Sequence, residues 1–184
     1  MLFTEQILSG VYVIKPEFIH DERGYFTRTY CQKEFQKLGI HDSYVQRNTS
    51  YNQKRGTVRG MHYQSSPYQE AKIVSCTQGA IMDVIVDIRD FSSTFGRVLN
   101  VELTEECEKM LYIPAGFAHG FQTLTDNSKV CYQMSEYYHP ESSCGISPLD
   151  SELSIDWPLE IMEISDKDKN LPLLADVGLL NGTP

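Results

Sequence analysis

The feature that most limits the fold of this chain is an alternating stretch that follows a Gln78-Gly79 turn. From residue 80 to residue 88, apolar side chains take every second position, while Asp83 and Asp87 fall on the other face. Successive side chains of a β-strand point to opposite faces of its sheet, so a period of two is typical of a strand. We therefore predict a strand here and a sheet as the frame of the chain.

Similar short stretches recur along the chain, separated by Gly, Pro, Asn and Ser. They predict further strands at residues 10–16, 25–30, 72–77, 98–103, 110–113, 120–124 and 130–138. Short helices are expected at residues 33–38, closed by Gly39, and near residues 165–169. Because strands and helices do not alternate regularly, most doubly wound folds are excluded and a mainly β sandwich or barrel is favoured.

Size and composition narrow the functional classes. The chain has 184 residues, which fits a single domain over residues 1–184. Its net charge of -9 argues against nucleic-acid binding, which needs clustered Lys and Arg. No apolar run approaches the roughly 20 residues that span a bilayer, and the N-terminus lacks a secretory pattern, so no membrane association is expected. The five cysteines are scattered without a C-x-x-C pair, which favours reduced thiols and a cytoplasmic location.

Residues 59–64 read Arg-Gly-Met-His-Tyr-Gln and place His62 on a short strand. An imidazole is the side chain most often used for proton transfer, so His62 is a candidate general base. Lys72 opens the next expected strand, and if the two strands pair, both side chains point into one cavity. The competing interpretation is a structural or surface histidine, which is the commoner case for a single histidine.

Residues 113–121 contain the pattern P-x-G-x-x-H, which ends on His119 and is similar to a motif of cupins, whose fold is a double-stranded jelly roll. Many cupins bind a metal through an H-x-H pair, a glutamate and the histidine of this second motif. Here Gln64 stands where the second histidine of the pair would be. His62 and His119 alone do not fill a site of three or four ligands, so we predict no metal ion.

Two further side chains are candidates for the same chemistry. Tyr132 lies on the strand expected at residues 130–138, with Met134, Glu136 and Tyr138 at the same period of two. In a pocket, its hydroxyl can donate a proton to a carbanion. Asp168 can hold an imidazole in the required tautomer. The ordinary alternatives are a tyrosine packed in the core and a solvated acid in a polar turn.

Taken together, these motifs resemble the RmlC-type dTDP-4-dehydrorhamnose 3,5-epimerase family over almost the whole chain. Each motif alone is weak, and their joint occurrence in this order is specific. The resemblance is carried by residues 21–26, 46–50, 59–64, Lys72, 87–89, 93–96, 113–121, Tyr132, 137–138, 155–158 and 165–168. It implies a mainly β fold, the cupin double-stranded β-helix or jelly roll with a few short helices.

The resemblance also implies a reaction. The substrate would be a nucleotide-diphosphate 4-keto-6-deoxy sugar, whose C4 carbonyl acidifies the protons on C3 and C5. His62 would remove a proton, Asp168 would orient His62, and Tyr132 would return a proton to the opposite face. Lys72 would stabilise the oxyanion on O4. No cofactor is expected, because the reaction involves no net redox change, and the implied setting is dTDP-rhamnose and surface-polysaccharide synthesis.

The family also implies where the substrate binds and how the subunits assemble. The resemblance implies a homodimer that exchanges N-terminal strands, in which Arg23 would complete the site of the other subunit. A guanidinium offers paired donors to phosphate oxygens, so Arg23 and Arg59 are suited to bind a diphosphate. The implied substrate-binding positions are Arg23, Arg28, Gln46, Asn48, Arg59, His119 and Tyr138.

Three departures from the family pattern keep alternatives open. Arg28 stands where a glutamate usually contacts the nucleotide, Ser75 replaces an arginine, and Ser147-Pro148 replaces an Arg-Trp pair. One alternative is an epimerase that inverts only C3 or C5, or acts on a CDP-, UDP- or GDP-linked keto sugar. A second is a non-catalytic sugar-nucleotide-binding cupin. A third, a metal-dependent cupin oxygenase or isomerase, is disfavoured by Gln64.

Overall fold

Two antiparallel β-sheets face each other in the computed structural model, which describes residues 1–40 and 43–177. The strands are β1 (Leu2–Glu5), β2 (Tyr12–Lys15), β3 (Phe18–Asp21), β4 (Gly24–Thr27), β5 (Gln46–Asn52), β6 (Thr57–Gln64), β7 (Lys72–Gln78), β8 (Ala80–Asp87), β9 (Val98–Thr104), β10 (Met110–Ile113), β11 (Phe117–Thr123), β12 (Ser128–Met134), β13 (Ser143–Gly145) and β14 (Glu163–Ile164). The helices are α1 (Gln32–Gln36) and α2 (Asp166–Lys169), with 3-10 turns at Pro140–Ser142 and Leu174–Asp176.

The order of strands within the sheets is that of a jelly roll. The first sheet has the order β1-β2-β10-β7-β12-β5, and the second has the order β13-β6-β11-β8-β9, with β14 parallel to β6. Neighbours in each sheet are mostly distant in sequence, as expected when two Greek-key sheets are wound together. This arrangement confirms the mainly β cupin fold. Strands β3 and β4 pair with each other as a separate hairpin.

The alternating stretch forms β8, and both of its faces are buried. Ile81 and Ile85 belong to the apolar cluster shared by the two sheets. Val84 and Val86 lie on the other face of the second sheet, in a cluster with Ile146. The second cluster is covered by the chain after β13, whose Leu153 and Trp157 pack against it. Burial on both faces makes β8 a central element of the fold.

Three sequence-based expectations about strands need correction. The strand expected at residues 25–30 ends at Thr27, and the strand expected at residues 130–138 ends at Met134. The latter stops where its partner β5 begins, since Met134 pairs with Gln46. Strands β6 and β7 do not pair; they lie in opposite sheets, because the connection through Pro67 carries the chain from one sheet to the other.

Both predicted helices are present. Helix α1 is followed by Gly39 at φ +77°, a left-handed conformation that suits glycine at a helix end. Helix α2 starts after Ser165, whose hydroxyl accepts a hydrogen bond from the Asp168 amide at 3.1 Å. Within residues 1–40 and 43–177, no helix is long and apolar enough to cross a membrane. Of the expected domain over residues 1–184, residues 41–42 and 178–184 lie outside the described part.

Candidate active site

A cavity of about 650 Å³ lies between the two sheets. Strands β6 and β11 of the second sheet form one wall, and β5, β7 and β12 of the first sheet form the other. Helix α2 contributes part of the lining. Of the catalytic and substrate-binding residues predicted from the sequence, eight line this cavity: Asn48, Arg59, His62, Lys72, His119, Tyr132, Tyr138 and Asp168.

A close approach of β6 and β11 shapes one wall. A Cβ atom on Gly60 would lie 2.6 Å from the Cα of Gly120, so only glycine fits there. The register between the strands shifts at this point, since His119 pairs with His62 but Phe121 pairs with Arg59. In a regular strand, residues three apart point to opposite faces. The irregularity therefore allows both Arg59 and His62 to line the same cavity.

His62 and Asp168 form a hydrogen-bonded pair. The His62 Nε2 lies 2.7 Å from Asp168 Oδ1, and the Gly60 amide donates to Asp168 Oδ2 at 3.1 Å. Burial raises the pKa of the Asp168 carboxyl, but the hydrogen bonds from His62 and from the Gly60 amide outweigh burial and hold that pKa below its usual range. Because an ionised carboxylate only accepts, Nε2 of His62 carries the proton and Nδ1 is left to take up another.

Lys72 faces His62 from the opposite sheet. Its ammonium donates to the backbone oxygen of His62 at 3.3 Å and lies 3.0 Å from Glu70 Oε1. The side chains of Lys72 and Glu70 are 10% and 3% exposed, so this ion pair is largely withdrawn from solvent. The expectation that both groups point into one cavity is therefore met across the two sheets, although the strand pairing from which it was drawn is wrong.

His119 has a buried acid partner of its own. Its Nε2 lies 2.8 Å from Oδ1 of Asp83, a fully buried residue on β8. Since His119 is the register partner of His62, two His–Asp pairs stand side by side on one wall of the cavity. The ring of Tyr132, on the other wall, meets the His119 ring edge-on, with 6.5 Å between centroids.

Tyr132 lines the cavity from β12 and is partly buried against the apolar cluster between the sheets. Burial raises the pKa of its phenol above the ordinary value, and a hydrogen bond with Ser50 and the charge of Arg59 offset only part of this effect. Since the ordinary value for tyrosine is about 10, the phenol carries its proton at neutral pH. It can therefore act as a proton donor inside the cavity.

Of the other binding residues predicted from the sequence, Arg59 lines the cavity, whereas Gln46, Arg23 and Arg28 do not. Arg59 is exposed on β6, with its Nε donating to Oδ1 of the buried Asn52 at 2.6 Å. Gln46 is outside the cavity lining, and its Oε1 accepts from the Tyr138 amide at 3.1 Å.

Arg23 and Arg28 also lie outside the cavity lining. Arg23 forms an exposed ion pair with Asp21 in the β3–β4 hairpin. Arg28, just after that hairpin, pairs with Glu34 at 3.2 Å. Within a single subunit, neither guanidinium is part of the cavity wall.

The amide of Gln64 is fully engaged by backbone groups. Its Nε2 donates to the carbonyl oxygens of Tyr68 and Tyr137, and its Oε1 accepts from the His139 amide. In the described part of the chain, no group of three His, Cys, Asp or Glu side chains is placed to hold a metal ion.

A sequence model of the dTDP-4-dehydrorhamnose 3,5-epimerase family matches residues 5–176. The chain belongs to this family. The dTDP-4-dehydrorhamnose 3,5-epimerase of Methanothermobacter thermautotrophicus is 43% identical over 171 residues, which is 91% of each chain.

Solved structures of other epimerases have the same fold. The dTDP-6-deoxy-D-glucose-3,5-epimerase of Legionella pneumophila, in complex with dTDP-4-keto-L-rhamnose, has a TM-score of 0.91 and 40% identity, covering 96% of this chain and 94% of that chain. A 3'-monoepimerase from Streptomyces bikiniensis, in complex with dTDP-quinovose, has a TM-score of 0.87 and 35% identity. The match covers 93% of this chain and 87% of that chain. The family thus includes members named for inversion at one centre.

Several polar residues of this epimerase-family site were not identified from the sequence. They are Glu70 beside Lys72, Asp83 beside His119, and Asn52 beside Arg59. The sequence offered a signal only for Asp83, which with Asp87 is one of two acids in a strand whose other positions are apolar. A charged residue is seldom buried without a partner, so its position on a central strand indicates a buried pair.

Proposed function

We propose that this protein is a cofactor-independent epimerase that converts dTDP-4-dehydro-6-deoxyglucose to dTDP-4-dehydrorhamnose. The observation that carries the proposal is the His62 imidazole, which faces the cavity with its Nε2 held 2.7 Å from the buried Asp168. The names of the relatives supply the substrate class. A His–carboxylate pair in a cavity that also holds a lysine and a tyrosine has the groups that this inversion needs.

In the proposed reaction, His62 is the base. The C4 ketone makes the protons on C3 and C5 acidic, and the Nδ1 of His62 removes one of them to leave an enolate. The imidazole then carries a positive charge, which the buried carboxylate of Asp168 stabilises. A carboxylate in this position also fixes the tautomer and orientation of the ring.

Lys72 and Tyr132 would complete the inversion. Negative charge develops on O4 in the enolate, and a positioned ammonium such as that of Lys72 stabilises it. Tyr132 belongs to the opposite wall, so its phenol can return a proton to the face of the ring that His62 does not reach. The sum of the two steps moves protons only, so the reaction requires no redox cofactor.

The test is deuterium uptake from heavy water into dTDP-4-keto-6-deoxyglucose, followed by NMR at C3 and C5. The unchanged protein is expected to exchange both positions, and His62→Asn is expected to exchange neither. Tyr132→Phe is expected to retain proton exchange better than completed inversion. Exchange that persists undiminished in His62→Asn would remove His62 as the base.

The other outcomes separate the remaining readings. Exchange at one carbon alone would identify a mono-epimerase, as in the Streptomyces bikiniensis relative. If the dTDP sugar does not exchange, the same assay with CDP-, UDP- and GDP-linked ketones asks whether another nucleotide is preferred, as the presence of Arg28 would suggest. No exchange with any of these substrates would leave a binding protein without catalysis.

We further propose a homodimer in which the β3–β4 hairpin extends to a second copy of the chain. Among the described strands, β3 and β4 pair only with each other, and their Ile19 and Phe26 are each 67% exposed. A two-stranded hairpin is marginally stable alone, and clustered exposed apolar side chains mark interaction surfaces. In such a dimer, Arg23 would contribute its guanidinium to the diphosphate site of the other subunit.

A mixing experiment tests this assembly. His62→Asn and Arg23→Ala should each be inactive alone, and unfolding and refolding them together should restore activity. Each mixed dimer would combine the intact His62 of one subunit with the intact Arg23 of the other, giving one complete site and about a quarter of the original activity overall. A monomer in sedimentation analysis, or no recovery on mixing, would contradict the exchange.

A further inference from the structure

Gln64 connects β6 to two chain segments at the rim of the cavity. Its Nε2 donates to the Tyr68 oxygen at 2.9 Å and to the Tyr137 oxygen at 3.0 Å, and its Oε1 accepts from the His139 amide at 2.6 Å. The residue is 5% exposed. Both N–H donors of the side-chain amide are therefore occupied by backbone oxygens, and its oxygen accepts from a backbone amide.

The segment at residues 137–139 crosses from one sheet to the other. It follows β12 in the first sheet and precedes β13 in the second, so it passes beside the cavity that the two sheets enclose. Between the two residues held by Gln64 lies Tyr138, whose side chain lines the cavity and is exposed. Its amide donates to Gln46 Oε1 at 3.1 Å, so three consecutive residues each have a backbone group bound by a glutamine side chain.

A ring contact joins the same two segments again. The rings of Tyr68 and His139 stack, with 3.6 Å between centroids and 12° between planes. The connection before β7 and the connection after β12 are thus held together both by Gln64 and by this stack. An exposed aromatic ring on a segment held at so many points is presented in a defined orientation.

We propose that Gln64 is a positioning residue that acts through Tyr138 and holds its ring for the planar base of the nucleotide. This inference rests on the proposed function, because the base is the planar aromatic part of a nucleotide-linked keto sugar. Stacking of a base on an aromatic side chain contributes about 1–3 kcal/mol, the equivalent of about 5- to 160-fold in affinity. If the Tyr138 ring loses its defined orientation, most of this contribution to affinity should be lost.

The test compares Gln64→Met, which keeps the length of the side chain but loses all three hydrogen bonds, with the unchanged protein. We expect dTDP to bind about tenfold more weakly by calorimetry and KM to rise in parallel, with kcat much less affected. Inorganic pyrophosphate, which has no base, should bind equally to both proteins.

Gln122→Met is a matched control. Gln122 is also fully buried, and its amide holds Leu159 through two hydrogen bonds of 2.9 and 3.0 Å, but it does not line the cavity. It should lower Tm without changing dTDP affinity. Equal effects of the two variants on dTDP binding would show that Gln64 has only a structural role and would overturn the proposal.

A double-mutant cycle with Tyr138→Ala tests the route of the effect. If Gln64 acts through Tyr138, Gln64→Met should not weaken dTDP binding further in a protein that already lacks the ring. Additive losses would contradict the proposal. If Gln64→Met does not fold, Gln64→Glu, which keeps the acceptor for the His139 amide but loses both donors, takes its place in the cycle.

The outcomes also separate this inference from the proposed function. If the unchanged protein exchanges deuterium and binds dTDP while Gln64→Met binds it equally well, the inference alone fails. If the unchanged protein neither exchanges deuterium nor binds dTDP, the proposed function fails and the inference falls with it.

Discussion

Replacing Asp168 by asparagine would change a buried carboxylate into an amide of nearly the same shape. The carboxylate lies 2.7 Å from His62 Nε2 and accepts from the Gly60 amide at 3.1 Å. An amide oxygen can still accept a hydrogen bond, but the negative charge opposite the imidazole is lost. That charge matters most when His62 has taken up the substrate proton.

The size of the effect follows from the hydrogen bond that changes. Hydrogen bonds to charged groups contribute about 1.5–3 kcal/mol, and each 1.36 kcal/mol is a factor of ten in rate, so kcat should fall by about 10- to 160-fold. KM should change less, because the lost interaction strengthens only after proton transfer. The assay is the initial rate of deuterium uptake at C3 and C5, together with kcat and KM for inversion.

Asp87→Asn provides the matched control. Asp87 is also a fully buried acid, with hydrogen bonds from Arg89, Ser92 and Thr94, and it does not line the cavity. It should lower the free energy of unfolding without lowering kcat. If Asp168→Asn keeps the kcat of the unchanged protein, or if both variants lose activity equally, Asp168 does not support His62 in the way described.

Three further predictions concern buried groups. Burial raises the pKa of Asp87, but hydrogen bonds from Arg89, Ser92 and Thr94 hold it below its usual range, so its stabilisation is present above about pH 4 and is lost as pH falls through the lowered value. Between pH 7 and pH 3, the free energy of unfolding measured in urea should therefore fall more in the unchanged protein than in Asp87→Asn. Glu70→Gln removes the ionic partner of Lys72 and should lower the free energy of unfolding by about 3 kcal/mol. Adding Lys72→Met should restore stability but not activity. If stability does not recover in the double variant, the two side chains do not form a buried ion pair. Ile85→Ala, at a fully buried position, should lower the free energy of unfolding measured in urea by about 2–5 kcal/mol. A much smaller decrease would contradict the place of Ile85 in the core.

Local patterns were sufficient for much of the fold. The period-two stretch predicted β8, and the residues around Ser165 predicted α2, because side-chain alternation and helix capping depend on neighbours in sequence. The end of β12 was not predictable in the same way. It depends on where β5 begins, more than eighty residues earlier in the chain, because a strand ends where its partner does.

The candidate site was also predictable from the sequence only in part. The motif around His62 and the identity of Lys72, Tyr132 and Asp168 were available from the sequence through a family resemblance. The expected route by which Lys72 reaches His62 was wrong, because β6 and β7 lie in opposite sheets. The burial of Asp168 was equally hidden, since an acid in a short polar helix is usually solvated.

The sequence by itself determined β8 and several other strands, the two short helices and the family, because each depends on residue types at short spacing. Only the tertiary structure decided which groups meet. The shift of register between β6 and β11 at Gly60 brings Arg59 and His62 to one cavity, and the winding of the two sheets places Lys72 and Tyr132 on the opposite wall. Asp83 and Gln64 acquire their partners in the same way, because a buried polar group is satisfied by segments that fold beside it.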